Sequence, residues 1–325
     1  MKIFTLLALS AGLAATILLA GHIGFETLGH AVAGIGWAGF LVVTAAHLVV
    51  TAICGLAWFL LPPSPRPGPA AFIGARLIRS GAGDILPLAQ LGGFAIGMRA
   101  IALAGLPASL SVASVMVDAT MEMLSQIAFI GLALAVLMLL RPGSGLAPPF
   151  AAGLVIVALI AALWLLAQRR GFRFARFVTE RLARRWQHVI AEGIASIGEA
   201  IDGLYRRHSA LGAGFGLHFA AWLLGAMEIW LALQIAGIPL GVGPVLAIEG
   251  LLSAARGAAF FVPGAIGIQE GAYVLLGAAF GLTAETALAL SLLKRARDVA
   301  LGLPALLVWQ WVETGRLWRR AMPQP

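Results

Sequence analysis

Charge is what this chain has least of. Only 11% of its 325 residues are Asp, Glu, Lys or Arg, while 61% are hydrophobic; an average soluble domain carries about 25% charged residues. So few polar groups cannot cover a soluble core of this size, and the apolar faces must meet lipid. Cysteine is nearly absent as well, and Cys54, standing alone, excludes an internal disulfide framework. There is no Walker lysine loop and no Gly-x-Ser-x-Gly, which argues against ATP hydrolysis and serine-ester chemistry. His22, His30, His47, His188, His208 and His218 lack metal-ligand spacing and cysteine partners, so no metal and no cofactor is expected. No catalytic residue is assigned, and the chain is not read as an enzyme. What is present is apolar: mean hydropathy is +0.96, and the expected fold is an all-α polytopic membrane protein forming one integral domain over residues 1–325.

Residues 1–61 read as two leading spans. Ile3 to Ala20 follows Met1-Lys2 like a signal peptide, but Leu18 spoils the small-x-small cleavage pattern before Gly21, so the segment is expected to be retained. Ile35 to Leu61 is the second span, stopped by the proline-rich run Pro62 to Pro69. Basic residues set orientation. Residues 168–210 hold nine arginines against Glu180, Glu192, Glu199 and Asp202, and their apolar residues recur at helical spacing. The segment is expected to lie as one or two helices against anionic head groups of the inner leaflet, not to bind nucleic acid. Arg66, Arg76 and Arg79 make a second basic stretch, and Arg316, Arg319 and Arg320, in a tail over 313–325, a third. All three are expected on the cytoplasmic side, with both termini.

Counting crossings between these anchors gives a conflict of parity. Ile85 to Leu106, Ala108 to Leu140 and Phe150 to Ala167 would place two basic regions on opposite sides. It disappears if the first block is a re-entrant hairpin broken at Gly92-Gly93. In the second half, Pro263-Gly264 and Gly267 break another hairpin in the same way. The expected architecture is therefore about six transmembrane helices with two opposed hairpins, one repeat unit over 76–167 and its counterpart over 211–312. Spacing supports the repeat: Asp118 and Glu122 follow Gly105 by thirteen and seventeen positions, as Lys294 and Asp298 follow Gly281. Inverted repeats with broken helices are the plan of many secondary transporters.

Charges inside the apolar blocks mark the candidate site. Ionised groups at the bilayer centre cost about 2.5–3.5 kcal/mol on insertion scales, so several together need partners or a purpose. Arg99, Arg256, Lys294, Arg295 and Arg297 are the bases, and Asp118, Glu122, Glu228, Glu249, Glu270 and Asp298 the acids. The bases are read as binding an anionic or polar head group, with Asp118, Glu122, Glu270 and Asp298 balancing them or carrying protons. The same near-neutral set is also what a permanent buried ion-pair network would contain.

Phe261-Val262-Pro263-Gly264-Ala265-Ile266-Gly267-Ile268-Gln269-Glu270-Gly271, with Leu292 to Asp298 downstream, resembles the membrane domain of lysylphosphatidylglycerol synthase/flippase proteins. The likeness runs from about Arg76 to Glu313 and is nearest to their HpnL-type branch, found with hopanoid biosynthesis; Asp84 to Pro87, Gly92-Gly93, Arg99, Asp118 and Glu122 contribute to it. The resemblance implies a multi-pass protein of the bacterial inner membrane that moves a polar lipid, such as a hopanoid, between leaflets. These residues include no aminoacyl-transfer domain, so lysyl transfer is not implied. The alternatives are an intramembrane enzyme, or an accessory or scaffold subunit of hopanoid or phospholipid synthesis. Expected partners are the lipid itself, a second copy of the chain, or enzymes that make the lipid.

Overall fold

Proline and glycine set the helix boundaries. The computed structural model describes residues 21, 25–85, 89–143, 145–182, 187–259, 262 and 265–321. Among these it has ten helices and no strand: α1 (Phe25–Leu60), α2 (Pro69–Ile85), α3 (Ala89–Leu103), α4 (Ala108–Leu140), α5 (Ala147–Leu182), α6 (Gln187–Tyr205), α7 (His208–Ile235), α8 (Val242–Ala258), α9 (Ile268–Ala279) and α10 (Ala284–Ala321). The proline-rich run separates α1 from α2, and Pro69 takes the first helical position, where its missing N–H costs nothing. Gly36 adopts a left-handed backbone (φ 61°) that kinks α1 near its start.

Among the described residues, four stretches are long and apolar enough to cross a membrane: Val32–Leu60, Ala108–Leu140, Ala147–Gln168 and His208–Ile235. Helix α10, at 38 residues, is longer still, about 57 Å at 1.5 Å per residue; Lys294, Arg295, Arg297 and Asp298 interrupt its apolar run. The expected first span, Ile3 to Ala20, lies outside the described residues. Leu41, Leu48, Leu139, Val155, Leu159, Leu163, Leu307 and Trp311 are exposed on the spans, a belt that a soluble protein would not tolerate. The molecule is an all-helical, multi-pass membrane protein.

Two sets of four helices match in order and size. In each, a leading span (α1 or α7) is followed by a 17-residue helix (α2 or α8), a break, a short helix (α3 or α9), a glycine turn and a long helix (α4 or α10). Gly105 (φ 112°) and Gly281 (φ 83°) make the two turns, in backbone conformations that a side chain would strain. Contacts between the sets are exchanged in the same sense: α10 packs on α2, α4 packs on α8, and α1 lies along α7. At both exchanged contacts the helices meet with no room for a larger residue. A Cβ on Gly81 would stand 2.6 Å from the Gly302 Cα, and one on Gly250 would stand 2.3 Å from the Ala133 Cβ.

Three boundaries differ from the expectations. The first hairpin is α2 followed by α3, and not a fold within Ile85 to Leu106 broken at Gly92-Gly93. Both glycines lie inside α3, where Gly93 lets α3 approach the Arg79 carbonyl and Gly83 on α2. The first part of the basic segment continues α5 to Leu182, and Gln187–Tyr205 forms α6. On α6, Ile201 and Leu204 are buried in a core with Trp58, Leu61, Phe72 and Leu106, so much of its apolar face meets protein. Tyr205 Oη donates to Gln168 Oε1 at 2.7 Å, tying α6 to α5. Finally, Arg76 and Arg79 do not stand on a cytoplasmic surface; they lie on α2 and are buried.

Candidate functional site

Arg76 and Arg79 are one helical turn apart on α2, and Asp118 and Glu122 one turn apart on α4, so each pair shares a face. The two faces meet. Arg79 Nη1 donates to Asp118 Oδ2 at 2.6 Å and its Nη2 to Glu122 Oε2 at 2.9 Å, while Arg76 Nη1 reaches Glu122 Oε2 at 2.7 Å. Asp118 is fully buried, and its other oxygen accepts from His218 Nε2 of α7 at 2.9 Å. Both guanidiniums are close to enclosed, which makes this forked pairing geometry strong per contact and costly to leave half-made.

The second set uses equivalent positions with reversed sign. Glu249 stands seven positions after the first residue of α8, as Arg76 does on α2. Glu249 accepts from Lys294 Nζ of α10 at 2.6 Å and from Tyr273 Oη of α9. Lys294 in turn occupies the place that Asp118 holds on α4. At these matched positions the 17-residue helix is basic and the long helix acidic in one repeat, and the reverse holds in the other.

Glu270 closes the second hairpin. Its carboxylate accepts from the Gly267 N–H at 2.7 Å, capping the start of α9, and from Ser291 Oγ at 3.1 Å and Arg295 Nη2 at 3.1 Å on α10. Gly267 has the left-handed backbone (φ 83°) that this cap needs. The Arg295 side chain is a quarter exposed, while Glu270 is not exposed at all. Pro263 and Gly264 lie outside the described residues.

A fourth cluster joins the two sets. Glu228 of α7 is shared between His47 Nδ1 of α1 at 3.0 Å and the Arg297 guanidinium of α10. Arg297 also holds Asp298 Oδ1, at 2.7 Å from Nη2. Near the hairpin tips, Asp84 of α2 and Arg256 of α8 face each other at 3.7 Å with side chains 28% and 30% exposed. Asp84 is within electrostatic reach of Asp298, Arg297 and His47, so the six residues form one group.

Of the five bases expected to bind substrate, Arg256 and Arg297 are in this central group, while Lys294 and Arg295 adjoin it on the same helix. Arg99 is not: it is half exposed on α3 and pairs with Glu313 near the end of α10 at 2.9 Å. Among the acids, Asp118 and Glu122 serve the first cluster, Glu270 the hairpin cap and Asp298 the centre. The sequence reading missed Arg76, Arg79, Asp84, His47 and His218 as parts of the interior. A signal for the arginines was available in their spacing, which complements that of Asp118 and Glu122. For His47 it was the inward stripe Val43, His47, Thr51, Cys54 and Trp58 on α1.

No curated protein and no solved structure matches the chain significantly. A family model described as the lysylphosphatidylglycerol synthase TM region matches residues 3–305.

Proposed function

Because the chain belongs to the lysylphosphatidylglycerol synthase transmembrane-region family, whose setting is membrane lipid, we propose that it moves a polar lipid between the leaflets of a bacterial inner membrane. The observation that carries this reading is the loose contact of Asp84 on the first hairpin with Arg256 on the second. Backbone interrupted at membrane depth is tolerated where protein or a water-filled cavity covers it, and partly exposed charges beside such breaks favour a cavity. Arg256 has no closer acidic partner than Asp84 among the described residues, so its guanidinium is the first available to a phosphate or other anionic head group. Arg295, a quarter exposed, is the second, and Lys294 and Arg297 hold the surrounding acids in place. A hopanoid-linked lipid is one substrate consistent with the sequence resemblance. Orientation follows from arginine placement, with the loop over 62–68 and both termini on the cytoplasmic side.

The test is translocation of fluorescent anionic and zwitterionic lipids in proteoliposomes. Arg256→Ala and Glu270→Gln should fold yet lower the rate at least tenfold. Wild-type rates in both would overturn the proposed site. A chemically altered lipid recovered from the vesicles would instead favour an intramembrane enzyme.

A further inference from the structure

Helices α3 and α10 each pack along α2, and an apolar groove of about 570 Å³ runs between them. Its floor is α2, through Ala71, Gly74 and Ile78; its walls are Leu103 of α3 and Trp309 and Val312 of α10. Sites for small apolar ligands have volumes of about 300–1,000 Å³, so the groove is of the right size to hold one. Small residues keep it open. A Cβ on Gly74 would meet nothing within 4 Å, whereas one on Gly81, two turns further along α2, would strike the backbone of Gly302. Helices α2 and α10 therefore touch at one level and part at another, and the groove is the space where they part.

One ion pair bridges the two walls. Arg99 stands one turn before Leu103 on α3 and Glu313 one turn after Trp309 on α10, and Arg99 Nη2 donates to Glu313 Oε1 at 2.9 Å. Their side chains are 47% and 24% exposed. A pair so open contributes little to stability, so both charges are free to turn towards a ligand. The pair is also incomplete. Glu313 Oε2 is enclosed and has no hydrogen-bond partner, an unsatisfied acceptor that is relieved when the carboxylate turns to the rim and meets a second donor. The groove lies at the level of lipid head groups, because it reaches the first turn of α2, directly after the proline-rich loop. Trp311 at its rim is 78% exposed, and indole rings collect where the apolar core of a membrane meets its polar surface.

We propose that this groove binds one membrane phospholipid with a primary ammonium head group, of the phosphatidylethanolamine class. One acyl chain lies over Gly74 between Leu103 and Trp309, the phosphate accepts from the Arg99 guanidinium, and the ammonium donates to the Glu313 carboxylate. A base beside an acid complements the phosphate and ammonium of a zwitterion, whereas a purely anionic head group would bring like charge against Glu313. A second copy of the chain fits less well. Where Arg99 meets Glu313 the walls are bridged by two side chains, and a helix about 10 Å across does not pass beneath them. The site rests on this geometry and not on the transport reading above.

Native mass spectrometry of the full-length protein tests this, with phosphatidylethanolamine, phosphatidylcholine and phosphatidylglycerol of identical acyl chains added in turn. Wild-type protein should bind one phosphatidylethanolamine per chain at least fivefold more tightly than either of the others. Gly74→Leu, which fills the floor, and Arg99→Ala should each weaken that binding at least fivefold with an unchanged elution profile. Glu313→Gln should still bind lipid but lose the preference for ethanolamine over choline. Equal affinity for the three lipids overturns the proposal on the wild-type protein alone, whatever the variants do. Binding untouched by both Gly74→Leu and Arg99→Ala places the lipid elsewhere and overturns it as well. A dimer that Gly74→Leu converts to monomer would put a second copy in the groove instead. Because the readout is the mass of bound lipid, a protein that moves no lipid can still confirm the site, and one that does can still refute it.

Discussion

Asp84 on α2 and Arg256 on α8 lie 3.7 Å apart and join the two hairpins across the centre of the bundle, each about a third exposed. An ion pair so long and so open contributes about 0–1 kcal/mol to stability. Asp84→Asn should therefore leave the thermal unfolding temperature in detergent nearly unchanged. The exchange Asp84→Arg with Arg256→Asp should restore more translocation than either single change. Equal loss in all three proteins would mean that the pairing itself is not what matters.

Asp118 is the opposite case. It is fully buried and accepts from both Arg79 and His218, so Asp118→Asn leaves a buried guanidinium half-paired, at a cost of about 3–5 kcal/mol. Thermal melts should show a large fall, and the purified yield should drop. Arg99→Ala, which removes an exposed pair with Glu313, should cost under about 1 kcal/mol in the same measurement. A comparable fall in both would contradict the burial assigned to the first cluster.

Gly250 offers a test of the exchanged packing. A side chain there would meet Ala133 and the Phe129 carbonyl, so Gly250→Leu forces α4 and α8 apart and should destabilise by about 1–3 kcal/mol or more. Adding Ala133→Gly should recover part of the loss, as read by size-exclusion profile after heating. No recovery would place the strain elsewhere.

Orientation is open to labelling in a Cys54→Ala background. Single cysteines over 62–68 should react with a membrane-impermeant maleimide only from the cytoplasmic side, and those over 236–241 only from the opposite side. Labelling of the second loop from the cytoplasm alone would overturn the parity of the three spans between these two loops.

Composition made the membrane class legible, and glycine and proline spacing made the repeat legible. The turns at Gly105 and Gly281, and the charges thirteen positions beyond them, stand where the sequence pattern placed them. The interior of α2 was hidden by a rule that treats arginine as a topology marker. Arg76 and Arg79 follow a proline-rich stop and read as a surface linker, yet the acids that bury them lie some forty residues later on α4. Gly92-Gly93 misled for a related reason, since glycine serves close helix contact as readily as helix breaking. His47 carried no local signal beyond its stripe, because its partner Glu228 is 181 positions away. Pairings across repeats are set by packing, and no window of sequence contains both sides.

Helix α5 bridges the two repeats, yet only 6% of its apolar span is buried. Among the described residues its polar ties are few: Trp164 Nε1 donates to Thr120 at 3.1 Å, and Gln168 bonds Thr120 at 2.8 Å and Tyr205 at 2.7 Å. Both threonine bonds fall on a single residue of the first repeat. The other end of the span is held by packing, since Ala147, Phe150, Ala151 and Leu154 lie against the core that α4, α7 and α8 share, so the connection between the repeats is fixed by polar bonds at one end and by apolar contact at the other.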